Sequence, residues 1–147
     1  MKGHLKVAAP PYLYSGPSPT ASLASVLAGF DVNDARGEQL RGVLWRHTRR
    51  LLDHVHALGL VTPNTSGTPI VELQLASADD MDAVAEVLWN EGVYVTLASY
   101  PLVPRDQVGF RIQLTAAHTD EQIDALLATI GRLAGKGLLR RADDPIA

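Results

Sequence analysis

Arg111 is the residue in this 147-residue sequence best placed to do chemistry. It lies in a run where Phe110, Ile112 and Leu114 alternate with Arg111, Gln113 and Thr115, the pattern of a half-buried strand. A guanidinium on a rigid strand can hold a carboxylate by two parallel hydrogen bonds. The same side chain could instead pair across the sheet with Glu72, a contact worth about 0.2 to 1 kcal/mol on a solvated face. Ahead of the strand lies a loop, residues 99–108, too long for a tight hairpin, in which Pro101 and Pro104 restrict the backbone. Loops stiffened in this way often line sites; the alternative is a mere connection.

The other polar candidates are weaker. His118 precedes Thr119, where its imidazole can bond the entrance of a helix or reach a ligand, and the structural role is the simpler one. His47, His54 and His56 share one helical segment, but spacings of seven and two do not set imidazoles side by side as a spacing of four would, so no metal site is expected. Arg46, Arg49 and Arg50 read as a solvated basic face, with docking of a partner as the alternative. Ser15 has no base nearby in the sequence and is not a nucleophile. No catalytic residue and no cofactor ligand is identified in the chain.

The elements that must position these residues follow from the apolar spacing. Residues 1–18, with Pro10, Pro11 and Pro17, resist regular structure and suggest an extended connector. Leu23, Val26, Leu27 and Phe30 mark one face of a short helix beginning near Ser18 to Thr20. The Val32-Asn33-Asp34 stretch interrupts it. A second helix from about Ala35 carries Leu40, Leu44, Leu51, Val55 and Leu58 and stops at Gly59. After the turn-rich residues 62–69 comes a strand with Val71, Leu73 and Leu75 inward, and then a helix whose stripe is Met81, Val84, Val87 and Leu88, capped by Ser77 and ended by Gly92. Val93, Val95 and Leu97 mark the next strand, the run through Arg111 the last one. Thr119 and Gln122 form a capping box for a helix with Ile123, Leu126, Leu127, Ile130 and Leu133 facing inward.

The fold class is therefore α+β: two N-terminal helices, then a two-layer β-α-β-β-α unit with both helices on one face of a small, mainly antiparallel sheet. The uncovered face carries Glu72, Gln74, Tyr94, Thr96, Arg111 and Gln113. Residues 19–135 make up the domain, and residues 136–147 read as a tail that frays.

Composition narrows the function. Apolar residues make up 46% of the chain and charged residues 20%, ordinary globular values that support one domain with a true core. The net charge of -3 argues against nucleic acid as a partner. Absence of cysteine removes disulfides and thiolate sites, leaving a reducing, cytoplasmic setting as the default. No segment approaches the roughly 20 apolar residues of a membrane span, and no signal-peptide run is seen.

Four elements in order, Gly-Val-Tyr-Val at residues 92–95, Pro-x-x-P at 101–104, Arg-Ile-x-Leu at 111–114 and Ala-Ala-His-Thr at 116–119, resemble the C-terminal small domain of the α-oxoamine synthase family of pyridoxal-phosphate enzymes. Serine palmitoyltransferase, 2-amino-3-ketobutyrate CoA ligase and 8-amino-7-oxononanoate synthase are members. The similarity extends back to the segment Tyr12–Phe30, where the family's large domain hands over to its small one. The resemblance implies an aminotransferase-type small domain and a transferase that condenses an amino acid with an acyl thioester in a biosynthetic pathway. Arg111 would bind the amino acid's carboxylate, Pro101, Leu102 and Val103 would approach the substrate, and His118 and Ser99 are candidate supporting groups. Members often carry arginine where this chain has Gly109. They hold the Schiff-base lysine in the large domain, and Lys2, Lys6 and Lys136, the only lysines here, lie in no such setting. The resemblance thus implies that pyridoxal 5'-phosphate belongs to the complete enzyme, a homodimer, and that this chain alone is inactive and needs a large domain on the same or a separate polypeptide. The alternative is a non-catalytic binding or assembly module that docks on a partner chain or self-associates.

Overall fold

Apolar and polar side chains alternate in the two five-residue strands that make up most of the sheet. In the computed structural model, which describes residues 1–144, these are β1 (Ile70–Gln74) and β3 (Gly109–Gln113). A third strand, β2 (Thr96–Ala98), pairs with β3 on its other side, giving the antiparallel order β1-β3-β2. The helices are α1 (Lys2–Ala8), α2 (Pro10–Leu13), α3 (Thr20–Ala57), α4 (Met81–Asn90) and α5 (Asp120–Gly135). Residues Met1–Glu38 and Gln39–Ala147 form two compact units, and the sheet, α4, α5 and the second half of α3 belong to the latter.

The expected α+β layout is present, and period-two patterning accounts for the register. Glu72 and Thr96 both lie opposite Arg111, so the three share the uncovered face, while Leu73 and Leu97 lie opposite Phe110. Val71, Leu73, Phe110 and Ile112 point to the other face and join Val84 and Leu88 of α4, Ile123, Ile130 and Leu133 of α5, and Leu51 and Val55 of α3 in one core. Thr119 closes the capping box foreseen for α5: its hydroxyl accepts from Gln122 N at 3.2 Å and Gln122 Oε1 accepts from Thr119 N at 3.0 Å. Thr119→Ala should cost about 1 kcal/mol, read as a lower urea midpoint at unchanged slope.

Four expectations need correction. The two N-terminal helices are one, the 38-residue α3. Val32, Asn33 and Asp34 weaken a helix by less than about 1 kcal/mol each, and neither proline nor a glycine at positive φ occurs there to break it. Residues 1–18 are not wholly extended, since they contain α1 and α2; Pro10 and Pro11 sit at the start of α2, where a missing N–H is harmless. The strand expected from Val93 is shorter, because Val93 N–H is spent on Leu88 O at 2.8 Å, closing α4 over Gly92 at φ 70°. Val93 and Val95 still pack against the core, but pairing begins at Thr96.

The fourth correction concerns the tail. Leu139 is buried and bridges Leu75, Arg140 N donates to Gln74 O at 2.9 Å, and Val61 N donates to Arg140 O at 3.0 Å. Residues 138–142 therefore run between the end of β1 and the segment after α3. Of the tail expected to fray, residues 136–147, positions 145–147 lie outside the described residues.

Candidate functional site

Arg111 occupies the middle of β3 on the uncovered face, with its side chain exposed. Gln113 lies two residues along on the same face, and with its amide oxygen turned toward Arg111 that oxygen is 3.1 Å from both Nε and an Nη. The guanidinium is thus held in place by a neutral group, with N–H donors left over. Glu72 stands opposite in the register, yet Arg111 forms no ion pair with it or with any other described residue. An oriented cation without an acid partner is suited to an external carboxylate.

Beside it lies a cavity of about 640 Å³ between the residues leading into β2 and the junction of β3 with α5. Arg111, Thr96, Thr115 and His118 contribute polar atoms to its wall, and Val95, Ile112 and Leu126 apolar ones. Residues 93–95, which precede the first pair of β2 with β3, line one side of it. His118 Nδ1 accepts Thr115 N–H at 3.0 Å, so a neutral imidazole carries its hydrogen on Nε2. His118 thus bonds Thr115 in the turn before α5 and lines the cavity together with Arg111.

The loop residues stand apart from this wall. Ser99, Pro101, Leu102 and Val103 do not line the cavity. Ser99 O accepts Leu102 N–H at 2.9 Å, the Tyr100–Pro101 peptide is cis, Leu102 is 83% exposed and Val103 packs on the core. The Arg105 guanidinium lies 4.6 Å from the centre of the Tyr100 ring, which closes the loop on itself, and Arg140 donates to Asp106 O at 2.8 Å, which ties its second half to the C-terminal segment. It re-enters the sheet at Gly109, two residues from Arg111. A Cβ at Gly109 would collide with Leu73 O and stand 3.0 Å from Gln74 Cα, so an arginine there would require β1 and β3 to part.

The basic cluster on α3 has an internal use that the sequence reading missed. Arg46 and Arg50 reach Asp120 at 3.5 and 3.0 Å, Arg50 also pairs with Asp124, and the buried His47 places Nε2 3.2 Å from Asp120 Oδ1. The simple solvated face is thus confined to Arg49. Desolvation pushes the Asp120 carboxyl upward, but the Arg46 charge, the His47 hydrogen bond and the His47 and Arg50 charges outweigh it and hold the pKa below the ordinary 3.8. A depressed folded-state pKa means that the contribution is present above about pH 3.8 and is lost as pH falls through the folded value. Asp120→Asn should therefore lower stability at neutral pH and flatten the acid side of the stability profile, as measured by urea unfolding from pH 7 down to 3.

Among the described residues no group of three or more His, Asp or Glu side chains could hold a metal, and no helix is long and apolar enough to cross a membrane. The cavity wall contains no lysine, and Lys136, the one lysine after residue 38, is the exposed C-cap of α5. These residues do not fit a covalent seat for pyridoxal phosphate.

Residues 1–130 match the family described as aminotransferase class I and II. The chain is 35% identical over 129 residues to serine palmitoyltransferase of Caulobacter vibrioides, covering 88% of this chain and 31% of that protein. It is 34% identical over 128 residues to 2-amino-3-ketobutyrate coenzyme A ligase of Escherichia coli K12, covering 87% and 31%. A serine palmitoyltransferase structure with pyridoxal phosphate as the internal aldimine superposes at a TM-score of 0.75 and 25% identity, covering 91% of this chain and 34% of that one. The chain thus spans about a third of the length of the relatives it matches.

Proposed function

Because the chain belongs to the aminotransferase class I and II family and matches its α-oxoamine synthase members, we propose that it supplies the carboxylate-holding domain of a pyridoxal-phosphate-dependent acyltransferase that condenses an amino acid with an acyl thioester. The observation that carries this reading is Arg111, an exposed guanidinium fixed by Gln113 and lacking an acid partner. Its role is to bind and orient the amino acid's carboxylate, so that the rest of the substrate is presented to chemistry performed elsewhere. Pro101, Leu102 and Val103 lie outside the cavity wall, on the loop that re-enters the sheet two residues before Arg111, and would approach the substrate from there; Ser99 on that loop and His118 on the cavity wall are the supporting groups. Pyridoxal phosphate supplies the electron sink for such condensations when bound. It would be held by a lysine-bearing large domain, on the same polypeptide or a separate one.

Mixing tests this. The chain, combined with a large-domain chain of the family that is inactive by itself, should restore release of CoA dependent on an amino acid and an acyl-CoA. A chain that forms a stable homodimer and leaves that large domain inactive would instead be a binding or assembly module.

A further inference from the structure

The second half of α3 borders another recess, of about 620 Å³, whose other side is the loop that follows the helix. It shares no lining residue with the cavity beside Arg111. Trp45, Arg49, Leu52 and Asp53 follow the three-and-four spacing that sets side chains on one helix face, and all four line the recess. Arg46 and Arg50, the neighbouring cations, are engaged by Asp120 and Asp124. The side chains of Arg49 and Asp53, by contrast, form no ion pair or hydrogen bond with any described residue, although they stand one turn apart. Arg49 precedes Asp53, the order in which a helical pair of opposite charges gains less.

Asn64 fixes the loop wall in place. Its Nδ2 donates to Thr68 O and Ile70 O, both at 2.8 Å, and its Oδ1 accepts Gly67 N–H at 2.9 Å. Such a preformed wall lowers the ordering cost of binding. Buried Thr48 turns its hydroxyl back into the helix, donating to Leu44 O at 2.8 Å, so Leu52 and the Trp45 ring supply apolar surface. We propose that this recess binds a free α-amino acid with an apolar side chain, its carboxylate on the Arg49 guanidinium, its ammonium on the Asp53 carboxylate and its side chain against Trp45 and Leu52. Residues four apart on a helix have Cβ atoms about 6 Å from each other, an interval that a molecule with both charged groups on one carbon can bridge with each end hydrogen-bonded. A simple anion would meet Asp53 as well as Arg49, and a simple cation would meet Arg49 as well as Asp53. Only a ligand carrying both charges matches the pair.

The two tryptophans of the chain, Trp45 and Trp89, give the test its readout. Trp89 is 75% exposed on α4 and lines neither cavity, so Trp89→Phe leaves Trp45 as the sole reporter within the full 147-residue chain. In that background L-leucine and L-phenylalanine are titrated against Trp45 emission, with N-acetyl-L-leucine and L-leucinamide as probes that each lack one charge. The expected result is a saturable change with at least one of the two amino acids, with a Kd below about 10 mM, and binding at least about tenfold weaker for both single-charge probes. Arg49→Ala and Asp53→Asn, each at an exposed position, should weaken amino-acid binding by at least about tenfold, and Arg111→Ala should leave it unchanged. Absence of a saturable change with both amino acids would overturn the proposal, as would equal binding of either single-charge probe or undiminished binding by Arg49→Ala or Asp53→Asn. Loss of binding in Arg111→Ala would place the ligand in the other cavity and overturn it too. Failure of the carboxylate role of Arg111 is separate, because it would appear in amino-acid kinetics and not in Trp45 emission.

Discussion

Arg111→Ala, made in the proposed assembly of this chain with a lysine-bearing large domain, should lower kcat/KM for the amino acid by about a hundredfold or more while leaving KM for the acyl thioester nearly unchanged. A bidentate guanidinium–carboxylate pair contributes two charge-assisted hydrogen bonds of about 1.5 to 3 kcal/mol each, and every 1.4 kcal/mol is roughly tenfold. Arg111→Lys should fall between, because an ammonium keeps the charge and loses the planar fork. Neither substitution should move the unfolding midpoint appreciably, since the side chain is exposed and its hydrogen bond is to Gln113 on the same strand. Steady-state kinetics with each substrate varied in turn gives the answer. Equal losses for both substrates would point to a general disturbance of the site, and no loss for the amino acid would remove Arg111 from substrate binding.

Phe110→Ala should be the most damaging single truncation for folding, costing about 3 to 5 kcal/mol. Phe110 is the bulkiest of the fully buried side chains and sits on the central strand, opposite Leu73 on one side and Leu97 on the other. The cavity it leaves would lie between the sheet and the helix side chains packed on it, among them Val84, Leu88, Ile130 and Leu133. A domain of ordinary stability, about 5 to 15 kcal/mol, would lose a large share of it. Urea unfolding should show a much lower midpoint at similar slope, and a loss below about 1 kcal/mol would mean that this face of β3 is not the packed one.

The strands, the faces they present and the capping box of α5 were legible in the sequence because each depends on local periodicity or on two residues three apart. Arg111 could be placed on the uncovered face for the same reason. Gln113, which holds its guanidinium, could have been recognised by the two-residue spacing that puts both on one side of β3. What was not legible depended on contacts far apart in sequence. Asp120 draws Arg46, His47 and Arg50 from seventy or more residues away, and Leu139 returns to the end of β1 from beyond α5. The unbroken α3 was missed for a different reason: Val32, Asn33 and Asp34 look like a stop, but weak helix formers alone do not end a helix already growing from both sides.

The most direct test of the central claim is the native mass of the species carrying these peptides in extracts of the source organism, measured without denaturation and again after it. The expected result is an assembly that contains the family's Schiff-base lysine. It would be either one polypeptide about three times the 15.8 kDa of this chain, in proportion to relatives of which the chain covers 31%, or a 15.8 kDa chain bound to a lysine-bearing companion. A 15.8 kDa species, free or paired only with itself, would contradict the claim and leave Arg111 in search of a different carboxylate.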